Sequence, residues 1–270
     1  KTHLWTVGDG KLYDLQLLLE KDGEPVDALS SYFGLRSVGF DGMKFVINGK
    51  PVFQRLVLDQ GFYPDGIYTA PSDAALKRDI ELSMAMGFNG ARLHEKVFEP
   101  RFLYWADRLG YLCWGEMASW GIDASRPMTM GIMLREWLES VERDFCAPSI
   151  IGWCPYNEVW GESNNGLRQL TLQMTYRATK AADPTRPVID ASGGFHCCET
   201  DIYDIHDYEQ DVNVYKERYK AGAPLFEPCP GKQLYTGGPR FVSEYGGIYW
   251  SNDEKGWGYG VAPKSREEFL

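Results

Sequence analysis

The feature that most constrains this chain is the alternation, from residue 39 onward, of short apolar segments with longer amphipathic ones. A strand followed by a helix returns the chain to the same end of a sheet, so the next strand pairs in parallel. Eight such units close a (β/α)8 barrel, the TIM barrel, which typically takes about 250 residues. The 270 residues of this chain are therefore predicted to form an α/β protein built around such a barrel.

The predicted strands are short, and each is rich in apolar residues. They are residues 54–58, 88–93, 111–116, 150–154, 187–190, 202–206 and 240–244. The predicted helices are residues 73–86, 100–109, 132–145 and 165–182, with a further helix beginning at 265. Since this supplies about seven strands, we expect the eighth βα unit to be absent. A doubly wound open sheet is disfavoured because no Gly-rich phosphate turn follows any strand.

Residues 1–38 have a different pattern. Two apolar segments, 12–20 and 31–38, are predicted strands, and Asp22-Gly23 between them is a hairpin signal. A pair of strands cannot bury both of its faces alone. We therefore predict that 1–38 holds the last strands of a β-sandwich and that 39–270 is the barrel domain, truncated at its C-terminal end. Sheet edges exposed by the missing unit predict an unstable or dimerising chain.

Charge and composition exclude several classes of partner. The formal net charge is -10, which argues against nucleic acid and anionic membranes, because phosphate binding needs Lys and Arg. No apolar run approaches the length of about 18 residues that a membrane helix needs. The six cysteines fit neither a zinc ribbon nor a disulfide framework, and Cys113 and Cys154 are predicted core residues. No metal or organic cofactor is expected. A bacterial cytoplasm, a periplasm and secretion fit the sequence equally.

Polar residues follow the predicted strands at their carboxyl ends, where barrel enzymes carry their reactive groups. They are Asp59, Gln60, Arg92, His94, Glu116, Asn157, Glu158, His206, Tyr208, Glu244 and Tyr245. Glycoside cleavage needs two carboxyl groups, one to protonate the leaving oxygen and one that stays ionised. Glu158 and Glu244 are the predicted pair, whereas Glu116 is predicted to be structural. A Ser-His-Asp hydrolase and a zinc hydrolase are disfavoured, because Gly-x-Ser-x-Gly and His-x-x-x-His are both absent from the sequence.

Five stretches, in order along the chain, resemble one known family. They are 32–36 leading into 47–52, Gly87–His94, Trp153–Glu158 and Phe241–Gly246. The chain resembles glycoside hydrolase family 2, which contains β-galactosidases, β-glucuronidases and β-mannosidases. The resemblance implies a TIM-barrel catalytic domain preceded by an immunoglobulin-like β-sandwich.

The resemblance also implies roles for individual residues. Glu158 would be the general acid/base and Glu244 the nucleophile, with Arg92 supporting the nucleophile. Asn157 would bind the sugar 2-hydroxyl, and Tyr208 would match the family's active-site tyrosine. Three further residues are weaker sugar-binding candidates: Asp59, His94 and His206. Residues 58–65 depart from the Asn-x-His-Glu run often found after the first strand, so the sugar stays undefined.

The leading interpretation is a retaining exo-β-glycosidase that hydrolyses terminal β-linked sugars by double displacement, galactosidase-like or glucuronidase-like. Two alternatives remain open. One is an endo-acting β-glycanase on the same barrel, which products from an oligosaccharide ladder would distinguish. The other is a carbohydrate-binding core without turnover.

Overall fold

The computed structural model describes residues 2–160, 165–227, 235, 237–250 and 257–269. The chain begins with a two-stranded antiparallel ribbon, β1 (Tyr13–Lys21) and β2 (Glu24–Phe33). Asp22 and Gly23 both have positive φ, as a two-residue hairpin turn requires. This tight turn starts the returning strand at Glu24, so the predicted strand 31–38 was wrong in its bounds. Most residues of the ribbon are exposed.

A small antiparallel sheet follows the ribbon. It contains β3 (Val38–Asp41), β4 (Lys44–Ile47) and β5 (Lys50–Pro51). Asn48 and Gly49 form its second turn, both with positive φ, as the Asn-Gly pair predicts. Phe45 and Ile47 of β4 are buried in an apolar cluster with Trp114. The sheet therefore packs against the strands that follow it.

The next four strands form one continuous parallel sheet. Its elements are β6 (Leu56–Asp59), α1 (Asp73–Ala85), β7 (Gly90–Leu93), α2 (Pro100–Leu109), β8 (Leu112–Glu116), α3 (Pro127–Asp144) and β9 (Ile150–Cys154). The strand order is β6-β7-β8-β9, all parallel. Ser72 caps α1 by accepting from the Ala75 amide, and Gly110 ends α2 in the left-handed conformation. α3 begins at Pro127, ahead of the predicted start at residue 132, because proline suits a first helical turn.

The second half of the alternation is less regular. Its elements are β10 (Asn157–Val159), α4 (Asn165–Ala182), β11 (Ser192–Gly194), β12 (Tyr203–Asp207), α5 (Val212–Tyr219), β13 (Arg240–Tyr245) and α6 (Arg266–Phe269). β10 pairs with β11 and β12 with β13, both in parallel.

The predicted strand 187–190 is reduced to a single parallel bridge. Val188 pairs with Trp153 of β9, supported by backbone hydrogen bonds of Pro187 and Ile189 to Trp153, and a further short strand, β11, follows. Asp190 ends the extended segment because its carboxylate turns to bind His196 and the Cys197 amide.

The apolar residues form two clusters, one between the sheet and its helices and one among the strands above β3–β5. In the second cluster the Trp114 ring of β8 lies 5.5 Å from the Phe241 ring of β13. Gly152 permits this packing, since a Cβ there would lie 2.2 Å from Trp114.

Cys113 and Cys154 are buried and free, as predicted. In the described part of the chain, no helix combines the length and apolarity needed to cross a membrane. Because β6 to β9 are parallel, their carboxyl ends lie at the same edge of the sheet.

Candidate active site

A cavity of about 640 Å³ opens at the carboxyl ends of the strands. This volume falls within the range of small-ligand sites, about 300–1,000 Å³. The predicted strand-end residues that line it are Gln60, His94, Asn157, Glu158, Tyr208, Glu244 and Tyr245. They come from five different strands or the residues just after them, so the parallel topology brings together side chains that are far apart in sequence.

Arg92 joins four strands beneath this cavity. Its Nε donates to Glu116 Oε2 at 2.6 Å, its Nη1 to Glu244 Oε1 at 2.8 Å and its Nη2 to Asn157 Oδ1 at 2.7 Å. Burial lowers the pKa of Arg92, but the carboxylates of Glu116 and Glu244 raise this pKa by more than burial lowers it, so the net shift is upward. The guanidinium is therefore a permanent cation that fixes three side chains at once.

Glu116 completes this arrangement from β8. Its Oε1 lies 2.8 Å from His94 Nδ1 and accepts from the Glu95 amide at 3.0 Å. Burial raises the pKa of Glu116, yet Arg92 and His94 outweigh it and hold the pKa below its usual value. Glu116 touches its neighbours rather than the cavity, which agrees with its predicted structural role.

Glu244 receives hydrogen bonds from two sides. Arg92 binds its Oε1, and the Tyr208 hydroxyl donates to its Oε2. Burial, and then the bond to Glu244, raise the pKa of Tyr208, so the phenol keeps its proton. The Tyr208 ring stacks on Tyr259 with centroids 3.7 Å apart. Glu244 is thus held in one orientation as an acceptor.

Glu158 is paired with His206. Glu158 Oε1 lies 2.7 Å from His206 Nδ1, and His206 Nε2 lies 2.9 Å from Ser192 Oγ and 3.4 Å from Glu244 Oε1. The hydrogen bond from His206 lowers the pKa of Glu158, against the opposing effect of burial. His206 therefore sits between the two carboxylates and is not among the residues that line the cavity.

The backbone is strained where Glu158 stands. Its φ is 43°, which non-glycine residues rarely adopt. Gly193, on the neighbouring strand, has positive φ, and a Cβ there would lie 2.6 Å from the His206 ring. Both residues thus depart from regular strand geometry so that the carboxyl and imidazole groups can meet.

Asp59 stands apart from this group. Its carboxylate accepts from the Gly61 amide at 2.8 Å and shapes the turn after β6, and its side chain does not line the cavity. Sequence reasoning missed Ser192, Trp120 and Tyr259, which touch or line the site. Trp120 follows the end of β8 by four residues, and this proximity was the available signal.

One oxygen of Glu158, one nitrogen of His206 and one oxygen of Glu244 all lie within 4.8 Å of one another. Such a spacing suits a cation, but the groups are already hydrogen-bonded to each other, to Arg92 and to Tyr208. We therefore treat the three as a hydrogen-bonded acid–base cluster and assign no metal to them.

Comparisons with known proteins identify a family, curated relatives and solved structures similar to this chain. Residues 1–36 match the model of the family described as "Glycosyl hydrolases family 2". A β-galactosidase of Pseudoalteromonas haloplanktis is 31% identical over 206 residues, which are 73% of this chain and 19% of that protein. β-Galactosidase 2 of Enterobacter cloacae is 30% identical over 207 residues, 74% of this chain and 19% of that protein. The chain thus spans about a fifth of the length of these curated relatives.

Solved structures share the fold. The β-D-glucuronidase of Dictyoglomus thermophilum aligns with a TM-score of 0.76 over 93% of this chain and 46% of that chain, at 20% identity. A β-glucuronidase from Ruminococcus gnavus, in complex with D-glucuronic acid, aligns with a TM-score of 0.67 over 77% and 37%, at 21% identity. At such identities the similarity shows the common fold.

Proposed function

This chain belongs to glycoside hydrolase family 2, and from that premise we propose that it carries the catalytic residues of a retaining exo-β-glycosidase. The observation that carries the proposal is the closeness of Glu158 and Glu244. One carboxylate oxygen of Glu158 lies within 4.8 Å of one carboxylate oxygen of Glu244. Retaining enzymes hold their two carboxyl groups about 5–5.5 Å apart, whereas inverting enzymes leave about 6.5–9.5 Å for a water molecule.

Glu244 is the proposed nucleophile. Arg92 and Tyr208 both donate to its carboxylate and hold it in the cavity that it lines. The carboxylate would attack the anomeric carbon and form a covalent glycosyl-enzyme, which water then hydrolyses. Arg92 would act as a positioning residue in both steps.

Glu158 is the proposed acid/base. Without a sugar, its hydrogen bond with His206 favours the carboxylate form, which suits the second step, in which Glu158 takes a proton from water. The first step requires a proton on Glu158. A bound sugar would exclude water from this carboxyl and so move its pKa upward, toward the protonated form.

The proposed sugar contacts follow from the hydrogen bonds already made. Asn157 uses its oxygen to accept from Arg92, which leaves its NH2 group to donate to the sugar 2-hydroxyl. His94 lines the cavity with Nδ1 bound to Glu116, so its other ring nitrogen can face the sugar. His206 would act through Glu158, and Asp59 through the turn after β6. The relatives' names make a β-galactoside or a β-glucuronide the first substrates to test.

We further propose that residues 39–270 form a (β/α)8 barrel lacking its last unit, and that residues 1–38 end an immunoglobulin-like sandwich. The support for the barrel is that β6 to β9 form one parallel sheet, that β10 pairs with β11 and β12 with β13 in parallel, and that Arg92 of β7 reaches Glu244 of β13. The support for the sandwich is the match of residues 1–36 to the family.

The test is hydrolysis of a panel of aryl β-glycosides, with the anomer released first identified by NMR. We expect one preferred sugar and initial release of the β-anomer. An exposed-carboxyl variant, Glu139→Gln, serves as the control and should match the unsubstituted chain. Initial release of the α-anomer would contradict the retaining mechanism, and internal cleavage of an oligosaccharide would favour the endo-acting alternative.

A further inference from the structure

Trp120 is a large apolar side chain left open to solvent inside the cavity. It lies in the loop between β8 and α3, is 66% exposed and lines the same cavity as Glu158 and Glu244. Keeping an indole ring in water forgoes the stabilisation that its burial would give. An aromatic face presented this way in a cavity suits a ligand that has an apolar face of its own.

The loop that carries Trp120 is held by a single carboxylate. Glu95 Oε2 accepts from the amides of Ser119 at 2.7 Å and Trp120 at 2.8 Å, and Glu95 Oε1 accepts from Ser119 Oγ at 2.9 Å. Three hydrogen bonds to one charged group form a strong local anchor. The backbone of Trp120 is therefore fixed even though its ring is exposed.

The same loop is joined to the strand of the proposed acid/base. The Asn157 amide donates to Ser119 Oγ at 3.0 Å, and Asn157 precedes Glu158. Glu95 is itself held from two other elements, since its amide donates to Glu116 and its carbonyl accepts from the Tyr68 hydroxyl at 3.0 Å. The position of Trp120 relative to Glu158 is thus set by hydrogen bonds at both ends.

Glu158 has a second aromatic neighbour. Trp160 donates from Nε1 to Glu158 Oε2 at 3.4 Å and is 49% exposed. The acid/base of a glycosidase protonates the oxygen that joins the two sugars, so the departing sugar must lie next to it. Trp160 is therefore adjacent to the position that a departing sugar would occupy, and Trp120 lines the cavity into which that position opens.

We propose that Trp120 is the stacking platform of a subsite for the leaving group, and that this leaving group is itself a sugar ring. Glu95 is the positioning residue for this platform. The inference rests on the proposed function and adds to it the substrate class, a β-linked di- or oligosaccharide. The apolar CH face of a pyranose would lie on the indole, and its hydroxyl groups would remain at the edge.

The test compares two substrates with the same donor sugar, the one selected by the aryl-glycoside panel. One is its β-glycosyl fluoride, which has no leaving sugar, and the other is its β-1,4-linked disaccharide. We expect Trp120→Ala to lower kcat/KM for the disaccharide about tenfold, mainly through KM, and to leave fluoride hydrolysis unchanged. Trp120→Tyr should retain most of the disaccharide activity.

Two further variants separate positioning from packing. Glu95→Ala should reproduce the selective loss with a smaller effect, about threefold, because the ring remains but its loop is released. Phe53→Ala removes another exposed aromatic side chain, one that does not line this cavity, and should change neither substrate.

The outcomes distinguish the inference from the function on which it rests. If the unsubstituted chain cleaves neither substrate, the proposed function fails. If it cleaves both, and Trp120→Ala either lowers both equally or changes neither, the leaving-sugar subsite is overturned.

Discussion

The two halves of the parallel alternation are built differently. Strands β6 to β9 form one four-stranded sheet, and β7, β8 and β9 are buried at every position. Strands β10 to β13 form two separate pairs, and three of their residues have positive φ: Glu158, Gly193 and Gly194. The regular half contributes Arg92, His94 and Glu116, and the irregular half contributes both proposed reacting carboxyls.

The difference shows how the fold separates support from chemistry. In a regular strand only every second side chain faces a given side. Consecutive residues of β6, Leu56 to Leu58, line the cavity too, but they are apolar, whereas in the irregular half the consecutive Asn157 and Glu158 are both polar. We infer that the regular half provides rigid electrostatic support, and that local irregularity lets the other half bring several polar groups to one point. Substitutions in the two halves should then have different consequences.

The largest expected effect is on activity, from the irregular half. Glu244→Gln should lower turnover by at least about 10³-fold, because an amide cannot form the glycosyl-enzyme. Its thermal unfolding should change little, since the amide oxygen can still accept from Arg92. Azide should restore part of the activity in Glu244→Ala, with rates followed on an aryl glycoside. Full activity in the glutamine variant would remove Glu244 from the mechanism.

The next effect is on stability, from the regular half. Arg92→Met should lower the free energy of unfolding by about 3–5 kcal/mol, because it leaves the buried carboxylate of Glu116 without its cation. Urea denaturation would measure it. Arg135→Met is the matched control, since its ion pair with Glu139 is exposed and should contribute less than about 1 kcal/mol. Equal losses in the two variants would contradict the supporting role of Arg92.

The smallest effect is a pH dependence located in the irregular half. The pKa of buried His196 is lowered by burial but raised more by Asp190, so the net shift is upward. A raised folded-state pKa stabilises the fold fully below the unfolded value, about 6.5, and this contribution disappears as pH rises through the folded pKa. The difference in Tm between the unsubstituted chain and His196→Gln should therefore shrink from pH 5.5 to pH 9. A constant difference would show that His196 is not charged in the fold.

The sequence predicted the regular half better than the irregular one. Apolar runs and helix caps placed β9 and α2 at their observed bounds. The strand predicted at 187–190 is only a single bridge, and α5 was not predicted, because Asp190 and the N-cap Asp211 act through side-chain hydrogen bonds that apolar periodicity does not record. The pattern of apolar residues predicts where strands lie. It does not predict where a polar side chain ends a strand by hydrogen-bonding to nearby residues.

The candidate site shows the same division. Carboxylates at strand ends identified Glu158 and Glu244, and their neighbours in sequence identified Asn157. The contacts made by Ser192 and Glu95 depend on residues that lie 14 to 51 positions away. Such partners become adjacent only after the strands pack, so no local motif marks them. Asp59 is the opposite case. It is a polar residue at a strand end, yet its carboxylate binds the Gly61 amide in the following turn and does not line the cavity.

The left-handed backbone at Glu158 has a consequence for how this lineage can change over time. Glycine and asparagine adopt positive φ at lower cost than glutamate. A substitution to either would remove the proposed acid/base and relax the backbone together. At this position, backbone stability and the proposed acid/base role therefore oppose each other, because relaxing the backbone would also remove the carboxyl group that binds His206.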